Sequence, residues 1–241
     1  MYLRSVVILF AVTLFASLAV AENGQSRVTR ANANVLFIGS SYTYYFEMPA
    51  IVAAMSQASP RELRTRMIAV GGATLEDHWE TGAAQQAIHE RKWEYVVLQE
   101  QSTRPFEDRH RMHDYVRRFD REIKRNGAKT ILYATWARRE NPERQADLNA
   151  AYELIAAEIG AVVAPVGIVW QSVAKRTPKL ALYDEDGSHP TRPATYLIAC
   201  VLYLAIQTVE KQCPVVPSSG ASVEESNIVR AAAAAMIANS R

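Results

Sequence analysis

The sequence lacks a strong charge of either sign. Lysine and arginine number 27 against 25 aspartate and glutamate residues, which gives a formal net charge of +2. Because the two signs nearly cancel, no whole-molecule field attracts nucleic acid or an anionic membrane, and neither is implied as a partner. Nucleotide-binding glycine loops are absent too, since Gly71-Gly72 stands without the required spacing and lysine.

Repeats and low-complexity tracts are also missing, and cysteine is scarce. A length of 241 residues with 49% hydrophobic residues suits a single domain with an ample core. The two cysteines, Cys200 and Cys213, allow at most one bridge, and two buried thiols are an equally good interpretation. Neither cysteine stands in a catalytic pattern.

The N-terminal segment has the pattern of a signal peptide over residues 1–21. Arg4 supplies the positive start, residues 6–20 are apolar, and Ala19-Val20-Ala21 resembles a cleavage site. An uncleaved anchor is the alternative, but the apolar stretch is shorter than the ~20 residues that span a bilayer. The sequence therefore predicts an exported protein, secreted or periplasmic, with no stable membrane insertion after cleavage. Residues 22–33 would form a flexible leader before a domain over residues 34–241.

Strand-like and helix-like stretches alternate from Asn34 onward. This order predicts parallel βαβ units and a three-layer α/β/α sandwich with a five-stranded parallel sheet. The predicted strands cover residues 35–38, 63–70, 95–99, 130–135 and 161–165. The predicted helices cover residues 46–59, 81–92, 109–126, 142–159, 192–211 and 223–238.

A serine and a histidine follow the pattern of residues at a sheet edge. Ser41 comes directly after the first strand, at the carboxyl edge where open α/β sheets bind ligands. His189 lies in a charged loop over residues 184–190, three residues after Asp186. Alone, each has an ordinary explanation as a helix cap, a loop histidine or a turn residue. Together they favour a nucleophile, a base and a carboxylate that orients the base.

These residues carry a resemblance to the SGNH hydrolases, also called the GDSL esterase/lipase superfamily, over residues 34 to about 204. Gly39-Ser40-Ser41 resembles the nucleophile block, and residues 186–190 match the family's Asp-x-x-His-Pro in full. The resemblance implies a flavodoxin-like SGNH hydrolase fold, a Ser41, Asp186, His189 triad and no cofactor or metal. It also implies an oxyanion hole that includes the backbone N–H groups of Ser41 and Gly72.

The third family block departs from the pattern. The family places Gly-x-Asn after the third strand, whereas residues 98–102 read Leu-Gln-Glu-Gln-Ser. Gln101 falls at the asparagine position, and its amide can donate the same hydrogen bond. Gln99 and Ser102 are the alternative donors. This sequence pattern resembles a less characterised SGNH branch that has glutamine in place of the asparagine of the third block.

The leading hypothesis is a serine esterase that removes short acyl groups, acetyl above all, from carbohydrates through an acyl-enzyme. Its partner is a small acyl ester or an acylated carbohydrate. The same triad would also suit a polysaccharide O-acyltransferase, and the same fold a non-catalytic carbohydrate-binding protein. Trp79, Trp136 and Arg138 follow strand ends or lie in nearby loops and are weaker candidates for lining the substrate site.

Two further interpretations receive less support from the sequence. Residues 38–43 resemble a flavodoxin phosphate loop for FMN, but the bulky Tyr42 and its tyrosine neighbours would crowd it. His110 and His113 lie three residues apart on a predicted helix, but no carboxylate and histidine set completes a metal site around them.

Overall fold

The structure is a computed structural model that describes residues 31–239. The predicted signal peptide and most of the predicted leader lie outside the described residues. The first strand begins at Ala31, so its first three residues fall within the stretch predicted as leader.

Five parallel strands form one sheet in the order β2-β1-β3-β4-β5. The strands are β1 (Ala31–Gly39), β2 (Arg61–Ala69), β3 (Tyr95–Leu98), β4 (Lys129–Tyr133) and β5 (Val162–Ala164). Each overlaps its predicted range, and the predicted α/β sandwich is confirmed. The order reverses beside β1, so that β2 and β3 flank it and the chain leaves β1 at a topological switch point.

Helices cover both faces of the sheet. They are α1 (Ser41–Tyr44), α2 (Met48–Ser56), α3 (Leu75–Thr81), α4 (Ala83–Glu90), α5 (Arg104–Glu107), α6 (Arg109–Asn126), α7 (Gln145–Ile159), α8 (Val166–Arg176), α9 (Arg192–Ile206) and α10 (Val223–Asn239). Of these, α1, α3, α5 and α8 were not among the predicted helix ranges. The predicted helix over residues 46–59 starts late, at Met48, because Phe46 and Glu47 adopt positive φ angles of 47° and 53°.

Side chains of the central strand alternate between two cores. Val35 and Phe37 pack on the face covered by α2, α8 and α9, whereas Leu36 and Ile38 pack on the face covered by α4, α6 and α7. All four are fully buried, as expected for a strand of a doubly covered parallel sheet. This packing fixes the carboxyl end of β1, at Gly39, within the sheet edge.

A disulfide joins Cys200, within α9, to Cys213, beyond its end. Both residues are fully buried, and every residue of α9 from Ala194 to Ile206 is buried as well. The bridge therefore folds the following segment back along α9. Within residues 31–239, no helix has the length and apolar character needed to cross a membrane.

Candidate active site

Ser41 is the first residue of α1 and follows β1 after a single intervening serine. The turn is tight at Gly39: a Cβ there would lie 2.4 Å from Thr43 Oγ1 and 2.5 Å from Gln99 Oε1. Glycine is therefore required where β1 gives way to α1. The turn brings the Ser41 hydroxyl to the carboxyl edge of the sheet, as the sequence predicted.

The side chain of Gln99 stabilises this turn through hydrogen bonds. Its Oε1 accepts hydrogen bonds from Ser40 N (2.7 Å) and Thr43 Oγ1 (2.8 Å), and its Nε2 donates to Ser40 Oγ and to the Glu100 carbonyl. The side chain is fully buried. Because both amide hydrogens are used, Gln99 is not available as the alternative oxyanion donor considered from the sequence.

His189 reaches Ser41 from the loop that precedes α9. Its Nε2 lies 2.8 Å from Ser41 Oγ, and its Nδ1 is hydrogen-bonded to Asp186 Oδ2. The other carboxylate oxygen of Asp186 accepts the backbone N–H groups of Ser188 and His189, each at 2.9 Å. The three predicted residues thus form one continuous hydrogen-bonded line.

The hydrogen bond with His189 and, to a smaller extent, the two backbone N–H groups lower the pKa of Asp186 to about 2 against the opposing effect of desolvation. Asp186 is therefore a carboxylate at any pH at which the protein would work. A carboxylate on Nδ1 leaves the lone pair of the neutral imidazole on Nε2, toward the serine.

Aromatic rings enclose the imidazole. The Tyr45 ring stacks on His189 with centroids 4.3 Å apart, and Tyr42 meets it edge-on at 5.7 Å. Tyr42 in turn stacks on Trp136, which stacks on Trp170. This aromatic column limits the orientations open to His189. Nothing in the sequence pattern identified Tyr45 as a neighbour of the base.

A groove of about 320 Å³ opens beside Ser41 and His189. Gly72 lies on its wall with a positive φ of 73°, and nothing lies within 4 Å of the position that a Cβ would occupy. Gln101 also lines the groove. Its Oε1 accepts from Thr103 N and Arg104 N, so its Nε2, 3.4 Å from Ser102 Oγ, is the end that carries hydrogens to donate.

Glu100 connects the segment that contains Gln101 to the segment that follows Gly72. Its Oε1 accepts the backbone N–H of Gln101 at 2.7 Å and that of Leu75 at 3.2 Å. One carboxyl oxygen therefore joins the segment after β3 to the start of α3, which follows Gly72. Glu100 is 1% exposed, and desolvation raises its pKa to about 7. No pattern in the sequence indicated a role for Glu100.

The weaker candidates for lining the groove separate into two groups. Trp136 is fully buried within the aromatic column, and Trp79 packs against Phe119 on the face covered by α6. Neither tryptophan is among the groove-lining residues, because their indole rings complete the cores instead. Arg138 does line the groove, and its Nη2 donates to Ser102 Oγ at 3.0 Å.

Other candidate features lie away from this chemistry. His113 is buried, its Nε2 lies 2.8 Å from the Ala151 carbonyl oxygen, and burial lowers its pKa. Within residues 31–239, no group of three or more histidine, cysteine, aspartate or glutamate side chains is arranged to hold a metal ion. A larger apolar groove of about 420 Å³ beside β5 holds no serine, cysteine or histidine among its lining residues.

Comparison with known proteins gives structural rather than sequence matches. No family model matches the chain, and no curated protein matches it. A solved structure from Slackia heliotrinireducens, assigned to the SGNH hydrolases, is 25% identical with a TM-score of 0.65 and covers 73% of this chain and 99% of its own.

Two other solved structures share the fold at lower identity. A DUF4886 family protein from Bacteroides uniformis is 18% identical, with a TM-score of 0.70 and coverage of 86% of this chain and 95% of its own. The psychrotrophic esterase EstA from Pseudoalteromonas sp. is 14% identical, with a TM-score of 0.57 and coverage of 73% and 98%. The sheet order, the sheet-edge groove and these likenesses agree, and the chain is a hydrolase of the SGNH, or GDSL esterase/lipase, superfamily.

Proposed function

We propose that this hydrolase is an exported serine esterase that removes short acyl groups, acetyl above all, from carbohydrates. The observation that carries the proposal is the contact of 2.8 Å between Ser41 Oγ and His189 Nε2, with Asp186 on the opposite ring nitrogen. A hydroxyl, a base and a carboxylate in this order are the parts needed to activate a serine toward an ester.

The geometry supports a two-step reaction. Ser41 Oγ attacks the ester carbonyl while His189 Nε2 takes its proton, and the tetrahedral intermediate collapses when His189 returns that proton to the leaving alcohol. His189 then takes a proton from water, whose oxygen attacks the acyl-enzyme, and returns the proton to Ser41 as the acid leaves. Asp186 stays ionised throughout and stabilises the imidazolium.

The oxyanion hole is assigned to three donors on the groove wall. Ser41 N–H belongs to the first turn of α1, where backbone N–H groups have no partner within the helix. Gly72 N–H and Gln101 Nε2 are the other two, and both residues line the groove. One preorganised donor of this kind typically lowers the barrier by ~3 to 4 kcal/mol.

The groove supports a short acyl group and a polar alcohol. Its volume of about 320 Å³ leaves little room for a long acyl chain once the alcohol part is also bound. Tyr44 and Tyr45 stand on its rim, and Tyr44 is 36% exposed. Aromatic faces beside hydroxyl groups suit a sugar ring, which presents apolar C–H faces and polar edges.

Two features support the exported location. Residues 1–21 have the composition of a cleaved signal peptide. The Cys200–Cys213 bridge belongs with an oxidising compartment, because reducing pools keep such thiols free inside cells.

The proposal is tested by hydrolysis of p-nitrophenyl acetate by the mature protein and by Ser41→Ala. We expect kcat/KM to fall by about 10³-fold or more, because the acyl-enzyme cannot form. Ser218→Ala, an exposed serine within the 3₁₀ turn Pro217–Ser219, is the matched control and should keep the parent rate. Equal rates for Ser41→Ala and the parent protein would refute the assignment.

A further inference from the structure

The groove beside Ser41 contains a single guanidinium, that of Arg138. Among its described lining residues there is no aspartate or glutamate. Asp186 is not among these lining residues, and its carboxylate is hydrogen-bonded to the His189 imidazole and to two backbone N–H groups. Arg138 is therefore the one permanently charged side chain among the described lining residues of the groove.

Arg138 is held against the groove wall. Its Nη2 donates to Ser102 Oγ at 3.0 Å, and Ser102 is itself buried at 8% exposure. Ser102 follows Gln101, the candidate oxyanion donor. A buried serine thus anchors the guanidinium next to the place where the ester carbonyl would bind.

Most donors of Arg138 remain available for a ligand. A guanidinium has five N–H groups in a planar fork, and the bond to Ser102 uses one. Within residues 31–239, Arg138 forms no ion pair, whereas Arg104, two residues after Ser102 in the chain, pairs with Glu76 and Asp108. Arg139, the next residue, is committed to the carbonyl groups of Tyr183 and Asp184.

We propose that Arg138 determines specificity by binding a carboxylate of the ester, so that the preferred substrates are acyl esters that carry a negative charge, such as those of acidic carbohydrates. This inference rests on the proposed esterase function. The guanidinium fork of arginine can donate two parallel hydrogen bonds to the two oxygens of a carboxylate. A neutral ester has no carboxylate and cannot form this pair. The carboxylate belongs either to the alcohol part or to the acyl part, and both sources offer the same group.

Two pairs of esters separate these sources. In the first pair, 4-acetoxybenzoate has a carboxylate on the alcohol part and methyl 4-acetoxybenzoate does not. In the second, mono-p-nitrophenyl succinate has a carboxylate on the acyl part and p-nitrophenyl butyrate does not. Each ester is assayed with the parent protein, Arg138→Gln, Arg138→Lys and Arg121→Gln. Arg121, an exposed residue of α6, is the control for loss of one positive charge elsewhere.

We expect Arg138→Gln to lower kcat/KM for the charged ester of at least one pair by about tenfold and to leave both neutral esters within about twofold. Arg138→Lys should restore part of the loss, since it keeps the charge without the fork. Raising the salt concentration should lower the parent rate on the charged ester and have little effect on Arg138→Gln. The affected pair identifies the part of the substrate that carries the carboxylate.

An equal change for all four esters, or no change for any, would overturn the inference. So would the same charge-selective loss in Arg121→Gln, because it would indicate a general field. Failure of the proposed function has a separate signature, namely hydrolysis of the neutral esters that survives Ser41→Ala. That result would remove the basis of this inference as well.

Discussion

At the residue scale, the least expected group is the buried carboxyl of Glu100. Glu100 is not one of the three predicted triad residues. Its Oε1 nevertheless accepts hydrogen bonds from the backbone N–H groups of both Gln101 and Leu75. Burial raises its pKa from 4.5 to about 7, so the protein holds a proton there that the unfolded chain releases near pH 4.5. Ionising Glu100 in the folded protein therefore costs free energy, and this cost lowers the free energy of unfolding as the pH rises.

Replacement of Glu100 by glutamine should remove this cost while keeping the acceptor oxygen. Because the unfolded chain binds fewer protons at this site than the folded protein between pH 5 and pH 7, Glu100 makes the parent protein less stable as the pH rises. We therefore expect the difference in free energy of unfolding, Glu100→Gln minus parent, to be about 2 kcal/mol larger at pH 8 than at pH 5. Urea denaturation at the two pH values measures the difference.

Glu140→Gln is the control for this measurement, since Glu140 is an exposed glutamate in the loop before α7. Its stability relative to the parent should change little with pH. A difference between Glu100→Gln and the parent that stays constant from pH 5 to pH 8 would show that Glu100 ionises in the folded protein as it does in the unfolded chain.

At the element scale, the strands were predicted well because their signal is strong. The neighbouring strands β1 and β3 contain short apolar runs in a sheet covered on both faces, and these runs stop at Gly39 and Gln99. The helices α3 and α8 gave weaker patterns. Helix α3 is short and begins with a capping box between Thr74 and Asp77. Helix α8 is rich in β-branched residues, which are typical of strands.

The end of α9 shows what a local pattern cannot supply. The apolar pattern predicted a helix to residue 211, whereas α9 ends at Ile206 and the chain turns back to place Cys213 against Cys200. Whether two cysteines pair depends on this turn, which is set by packing against α9 and α10. The sequence alone therefore left both states open.

The disulfide should make a measurable contribution to stability. It closes a loop with a sequence separation of 13, for which restriction of the unfolded chain contributes about 3 kcal/mol. We expect the double variant Cys200→Ala, Cys213→Ala to lose about this much free energy of unfolding in urea. Adding a reductant during unfolding should lower the stability of the parent and leave the variant unchanged. A parent protein that is insensitive to reductant and shows two free thiols when denatured would contradict the bridge.

At the scale of the whole molecule, the site joins residues that are 148 positions apart in the chain. That meeting could be predicted because strand ends of a parallel sheet share one edge, so the segment after β1 and the loop before α9 had a common destination. The neighbours of Ser41 and His189 in the site could not be predicted in this way. The stacking of Tyr45 on His189 and the bond from Arg138 to Ser102 depend on loop conformations that have no periodic signature in the sequence.

The most direct test of the account is covalent labelling of the mature protein with a p-nitrophenyl alkylphosphonate. Ser41 Oγ should displace p-nitrophenolate and keep the phosphonyl group, since His189 activates it as it would for an ester. Intact-mass and peptide analysis should find one phosphonyl group, on Ser41, with none on Ser41→Ala and slower labelling of His189→Ala. Labelling at another residue, or equal labelling of Ser41→Ala, would contradict the assignment of Ser41 as the nucleophile.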